Sequence, residues 1–291
     1  MTRLNFEVFS KNHNRSELGE SPCQDPESED LWWVDVTGCR LMKTNIVSGE
    51  TEVWKTPEYP GFVVLFATGV PAVGMQSGIF KFTPETGSFE LLIRFDQVGC
   101  RFNDATVDQR GRLWASTMAL DGQAGRAAIH LVTADHGLKT FVDGLSIPNG
   151  LAVDQERERI FYSDSHPGVQ SIWVAPIAKQ SGPIGEAALF TSTGNLKGRP
   201  DGAALDQEGF YWIAGVDGSE LYVFDLDGTL HDIIPVPFPA PTKISFSGHD
   251  KRLIVVTSKN MGKNGGHLAR ARLPLGMPAG IAQPYWNFGT P

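Results

Sequence analysis

The chain has 291 residues, enough for one large domain or two small ones, and a globule of that size hides roughly three quarters of the surface its unfolded chain exposes. Hydrophobic residues make up 41% and aromatic residues 10%, with 32 Gly and 19 Pro, a composition that excludes a disordered chain and favours an all-β one. A formal charge of -8 opposes a nucleic-acid or anionic-membrane surface and leaves a small molecule as the expected partner.

Residues 1–21 mix charge and polarity without an apolar h-region, so no secretory signal is expected. The longest apolar run, 61–74, is broken by Gly69 and Pro71 and is too short to span a bilayer. A soluble, cytoplasmic protein follows as the expectation. Cys23, Cys39 and Cys100 show neither C-x-x-C spacing nor pairing with His, which suits a reducing compartment and opposes a structural zinc site. They read as buried free thiols, with a reactive Cys100 beside Arg101 as the alternative.

Along the chain one phrase recurs: an Asp, a turn with Gly, then an aromatic strand. It stands at Asp108 to Trp114 and at Asp206 to Trp212, with variants from Asp154, from Asp25 and around Asp250. The anchors at 108, 154, 206 and 250 are 46, 52 and 44 residues apart, and the 83 residues from 25 to 108 leave room for two units, so six units are counted. A second phrase, strand, short turn, strand, follows at 42–54, 80–91, 130–142 and 221–233, with Asp227-Gly228 and His136-Gly137 as hairpin turns. Each unit is then about four short antiparallel strands, and radial repetition of such units protects their edges. The expected fold is a single six-bladed β-propeller of four-stranded antiparallel blades over 1–291, with a tail at about 276–291 outside the repeats. That tail, carrying Trp286 and Phe288, is expected to close the ring, pack outside it or meet another subunit. A pair of β-sandwiches is the rival, but it predicts neither the period near 45 nor the missing linker.

Four polar clusters lie on separate units: Leu18-Gly19-Glu20-Ser21-Pro22, Arg101-Phe102-Asn103-Asp104, Pro148-Asn149-Gly150 and Arg199-Pro200-Asp201-Gly202. Each precedes a strand-like stretch. On successive blades they would converge on one end of the axis, bringing two carboxylates, two amides and two guanidiniums around one cavity. Such a group suits a hard cation beside a polar substrate pocket. Taken singly, Pro-Asn-Gly and Pro-Asp-Gly are ordinary turns, and Arg101 and Glu20 ordinary surface charges; their joint occurrence points to function.

With the phrases Gly111-Arg112-Leu113-Trp114 through Thr117-Met118 and Pro148-Asn149-Gly150-Leu151 added, the chain resembles the SMP-30/gluconolactonase family of regucalcin-like and luciferin-regenerating-enzyme-like lactonases, in order from about residue 16 to about 275. The resemblance implies a six-bladed propeller, one divalent cation near the central channel and opening of sugar-acid lactones. It implies Glu20, Asn149 and Asp201 as metal ligands, Asp201 as general base for water, and Arg101 and Asn103 as substrate-binding residues. The segment 119–126 falls where the family varies a lid, and here Asp121 is expected to meet a sugar hydroxyl and Arg126 an anion.

The chemistry is consistent with those residue types. Three oxygen ligands with two negative charges balance a hard dication and leave positions open for a lactone carbonyl or a water. Calcium, zinc, magnesium and manganese all remain open. Arg101 and Asn103 alternate in an extended segment, so they should share one side with Phe102 on the other, and Asp104 should point away as a turn or strand-end cap. Asp108, Asp154 and Asp206 read as structural turn caps; Trp32, Trp33, Trp114 and Trp212 should fill space between blades, and His166 could reach the mouth of the pocket. Arg126, Lys197 and Arg199 beside Arg101 permit an acidic lactone. No Gly-x-Ser-x-Gly elbow and no phosphate-binding Gly-rich loop occurs. The alternatives are a metal-dependent propeller esterase or organophosphate hydrolase, and a non-catalytic metal-binding propeller.

Overall fold

The computed structural model describes residues 3–9, 15–133, 137–178, 182–183 and 185–288. Twenty-five strands and no helix occur among them, arranged as six antiparallel sheets. The blades span 19–55, 62–94, 100–145, 148–192, 199–235 and 241–272, the last completed by an amino-terminal strand. In blade 4 a two-residue strand, Gly182–Pro183, joins as a fifth. The innermost strand of each blade touches those of its two neighbours, and that of blade 6 meets that of blade 1, so the blades form a closed ring. Closure uses the amino end: Glu7–Val8 pairs with Ala269–Arg272 as the outermost strand of blade 6.

Six hydrophobic clusters fill the six interfaces between blades. Strand alternation explains how one sequence serves two neighbours. Adjacent Trp32 and Trp33 point to opposite faces of one strand: Trp32 packs with Val63 and Phe82 of blade 2, Trp33 with Val255 and Leu268 of blade 6. Trp114 and Trp212 fill the interfaces between blades 3 and 4 and between blades 5 and 6. The outermost strands, such as Thr51–Lys55 and Ser88–Arg94, are largely exposed.

The repeated Asp residues are turn caps. Asp108 accepts backbone hydrogen bonds from Arg110 and Arg112 through Oδ1 and the Trp114 indole through Oδ2. Asp206 does the same for Glu208, Phe210 and Trp212. Each Asp thereby ties the turn to the Trp that fills the adjoining interface, which is why the two residues recur six positions apart. His136, part of one expected hairpin turn, lies outside the described residues.

The carboxy-terminal tail does not close the ring. It crosses the end of the channel where the innermost strands finish: Ile281 N bonds to Leu205 O of blade 5, Trp286 N to Leu65 O of blade 2, and Asn287 N to Gly111 O of blade 3. Trp286 stacks on Phe66, 5.2 Å between centroids.

His130 in blade 3 is buried between Thr117 and Thr140 hydroxyls, each 3.3 Å from a ring nitrogen. Burial pulls its pKa down to about 4 from 6.5, so the unfolded chain takes up this proton first as pH falls. Stability should therefore decline from pH 6.5 towards 4, by on the order of 3 kcal/mol from this group. Urea unfolding across that range is expected to show a shallower decline for His130→Gln.

Candidate active site

The site is built at the starts of the innermost strands, and one backbone device makes it. In five of the six blades the pairing of the innermost strand with its neighbour slips by one residue, so two residues oppose one: Ser21-Pro22, Asn103-Asp104, Gly150-Leu151, Asp201-Gly202 and Thr242-Lys243. Blade 2 has regular pairing. A bulge re-aims side chains: Asn103, Asp104, Asp201 and Lys243 lie in these pairs and Glu20 and Asn149 directly before them, with Arg101 two residues upstream of its pair. Two of the five bulges use left-handed backbone, at Ser21, φ 52°, and Gly150, φ 65°. The polar clusters thus lie within the innermost strands rather than before them, and blade 2 separates the first from the rest.

Arg101 and Asn103 share one side of their strand, while Phe102 is fully buried against Phe62 and Phe95. A hydrogen-bonded chain then runs around the mouth. Arg101 Nη1 donates to Asn103 Oδ1 at 2.8 Å; Asn103 Nδ2 donates to Asn149 Oδ1 at 2.9 Å; Asn149 Nδ2 donates to Ser165 Oγ at 3.0 Å. The Asn149 amide is oriented by both neighbours, and its oxygen keeps a second lone pair.

Glu20 and Asp201 complete the group from blades 1 and 5. Burial, then the charge of Asp104, pushes Glu20 up to about 7, against the opposing pull of Lys243 and Arg101. Burial and then the charges of Glu20 and Asp104 hold Asp201 well above the usual carboxylate range, with Arg199 opposing. Burial brings Arg101 down to about 10, against the pull of Glu20 and Asp201. Carboxylates raised by burial and by neighbouring acids, Glu20 by Asp104 and Asp201 by Glu20 and Asp104, mark a place of negative potential, which a cation relieves. Among the described residues no three His, Cys, Asp or Glu side chains gather as metal ligands, so a metal here needs the Asn149 amide with the two carboxylates. That oxygen-only set, with one lone pair of an oriented amide available, fits a hard dication.

Asp104 corrects one expectation. It does not point away as a strand-end cap but sits 4% exposed in the channel, ion-paired with Lys243 of blade 6. The sequence reading missed Lys243, although Pro241-Thr242-Lys243 opens its strand much as Pro148 and Pro200 open theirs. A further unused signal is spacing: Glu20, Asn103, Asn149 and Asp201 each stand five residues before the repeated Asp25, Asp108, Asp154 and Asp206.

The rim residues are engaged locally. Exposed Asp121 accepts from Gln123 N at 3.0 Å, and Arg126 donates to Val98 O at 2.7 Å. Lys197 pairs with Glu220, and Arg199 with Asp217 at 2.7 Å, which offsets two of the cations expected to favour an acidic lactone. The His166 ring accepts from Gly168 N within its own loop. Cys100 is buried, and its thiol is raised chiefly by burial, with Arg126 rather than Arg101 as the opposing cation; it is no activated nucleophile.

A ring of six sheets with acids and an amide from three blades at its axis defines a β-propeller with a polar axial site. The family model described as "SMP-30/Gluconolactonase/LRE-like region" matches residues 18–260, and the chain belongs to that family. It is 30% identical over 257 residues to the 6-deoxy-6-sulfogluconolactonase of Pseudomonas putida, covering 87% of each chain. It is 29% identical over 250 residues to the putative sugar lactone lactonase YvrE of Bacillus subtilis, covering 84% of each. The crystal structure of a calcium-binding protein, regucalcin, from Agrobacterium tumefaciens superposes with a TM-score of 0.89 at 24% identity, covering 98% of both chains, a likeness of fold.

Gly202 shows how tightly the site is packed. A Cβ there would stand 2.4–2.7 Å from the Lys243 stem, so Gly202→Ala is expected to cost about 1–3 kcal/mol and to lower the melting temperature in a thermal scan.

Proposed function

We propose that this protein hydrolyses the cyclic ester of a sugar-acid lactone with a divalent cation held by Glu20, Asn149 and Asp201. The observation that carries the reading is the half-buried Glu20 of blade 1 and the buried Asp201 of blade 5, both raised by burial and by neighbouring acid charge, on the ring that also carries the oriented Asn149 amide of blade 4. Family membership and the sugar-lactonase names of the relatives support the substrate class. The bound cation would supply Lewis-acid polarisation of the lactone carbonyl.

The chain's own groups do the rest. Arg101 would present its remaining donors to the substrate's oxygens and orient the ring, while Asn103, its two amide hydrogens given to Pro148 O and Asn149 Oδ1, holds the guanidinium in place and would lie beside the substrate. Asp201, its carboxylate held well above the usual range by burial and then by the charges of Glu20 and Asp104, is the group that would take a proton from water as its oxygen attacks the carbonyl carbon. The ring C–O bond then breaks, and the same proton passes to the leaving alkoxide, giving the open-chain hydroxy acid. Asp121 and Arg126, on the loop after blade 3's second strand, would meet the distal part of a substrate. Cytoplasmic residence belongs to the same proposal, supported by three free cysteines.

The test is hydrolysis of a panel of neutral and sulfonated aldonolactones, followed with a pH indicator, on chelator-stripped protein with each dication restored in turn. Stripping is expected to abolish turnover and one metal to restore it. Asp201→Ala should lower kcat by about a thousandfold or more; full activity in that variant would overturn the mechanism. Metal binding without turnover would mark a non-catalytic propeller, and comparable turnover of phosphotriesters a broader esterase.

A further inference from the structure

Lys243 leaves blade 6, its stem passing over Gly202 of blade 5, and its ammonium donates to the Asp104 carboxylate and, at 2.9 Å, to Ala105 O of blade 3. Blades 3 and 6 face each other in a ring of six, so the pair is a crossbar over the axis. Its side chains are only 5% and 4% exposed. The mouth with Glu20 and Asp201 lies on one side. On the other is a cavity of about 50 Å³ lined by Lys243, Val107, Leu151 and Phe246 and closed by Ile281.

Both oxygens of Asp104 are occupied. Oδ1 accepts from Lys243 and, at 2.8 Å, from Ala105 N, and Oδ2 accepts from Leu151 N at 2.9 Å. A floor for the channel needs no charges, since a buried ion pair is commonly matched or bettered in stability by apolar side chains of the same volume. The crossbar does, however, set the charge of the site. The charge of Asp104 bears on both Glu20 and Asp201, and the Lys243 ammonium, ion-paired with it, cancels that charge.

We propose that Lys243 is a positioning residue of the metal site: it neutralises Asp104 and holds that third carboxylate out of the coordination, so the mouth presents two negative charges and three oxygen ligands to a single dication. This rests on the ligand set proposed above. It predicts changes of opposite sign from the two halves of one ion pair, which a purely structural role would not produce.

The experiment is calorimetric titration of the chelator-stripped full chain with calcium at pH 8, for wild type, Asp201→Asn, Asp104→Asn, Lys243→Met and the Asp104→Asn/Lys243→Met double variant. Wild type should bind one ion and Asp201→Asn should lose it. Asp104→Asn, which leaves the ammonium uncompensated, should bind about tenfold more weakly or worse, Lys243→Met about tenfold more tightly, and the double variant within about threefold of wild type. Affinities of these last three variants within about twofold of each other would overturn the proposal while leaving the ligand set intact. A wild type that binds none of calcium, zinc, magnesium and manganese, titrated in turn, or binding that Asp201→Asn does not disturb, would overturn both. Should Asp104→Asn show no cooperative melt, Lys243→Met against the double variant decides, and equal affinities there overturn the proposal.

Discussion

The constraint on which this molecule depends is the unpaired inner edge of six strands. Around the axis, each innermost strand has a sheet partner on its outer side only, and its other backbone edge lines the channel. A buried backbone group without a partner is expensive, and the ring meets the need with side chains reaching from blade to blade. Ser21 bonds to Val63 N and O of blade 2, Ser116 to Pro148 O of blade 4, and Ser165 to Pro200 O of blade 5. Tyr211 bonds back to Gly150 O of blade 4, and Thr242 to Gly19 O of blade 1. Prolines at 148, 200 and 241 fit there because a strand edge facing a channel has no ladder partner for their missing N–H.

The same constraint produces the site. Bulges at the starts of five innermost strands turn polar side chains towards the axis, where some stitch the ring and others are left to act. Asn103 does both, since its amide nitrogen donates to Pro148 O and to Asn149 Oδ1. Asp104 receives Leu151 N of blade 4 and the ammonium of blade 6. Stability and ligand chemistry are therefore carried by the same few atoms, and a substitution at the mouth acts on both.

The two ends of the channel are treated differently. The tail from Ile281 to Asn287 lies across the far end, anchored on blades 5, 2 and 3, so the near end is left for ligand entry. There the rim charges are largely paired with each other, as in Arg199 with Asp217 and Lys197 with Glu220. The strongest unbalanced field lies deeper, at Glu20 and Asp201.

Much of this was legible in the sequence because it depends on local rules. The Asp-turn-Gly-aromatic repeat encodes a turn cap and the Trp it holds, so Asp108 with Trp114 and Asp206 with Trp212 announced the blades, their number and the residues between them. Pro-Asn-Gly and Pro-Asp-Gly, ordinary turns when taken singly, drew attention to Asn149 and Asp201 only through their joint occurrence with the other clusters and the family resemblance, and the bulges that carry them were visible only in the sheet pairing. Contacts between residues far apart in the chain left no such trace. The partners Asp104 and Lys243 are 139 residues apart, and neither carries a neighbouring residue that records the other. The amino-terminal closure of blade 6, the tail across the channel and the pairing of the rim cations are of the same kind. Period, turn chemistry and strand alternation act over a few residues and are written in order along the chain; which charges meet across the axis was decided only when the ring closed and brought opposite blades together.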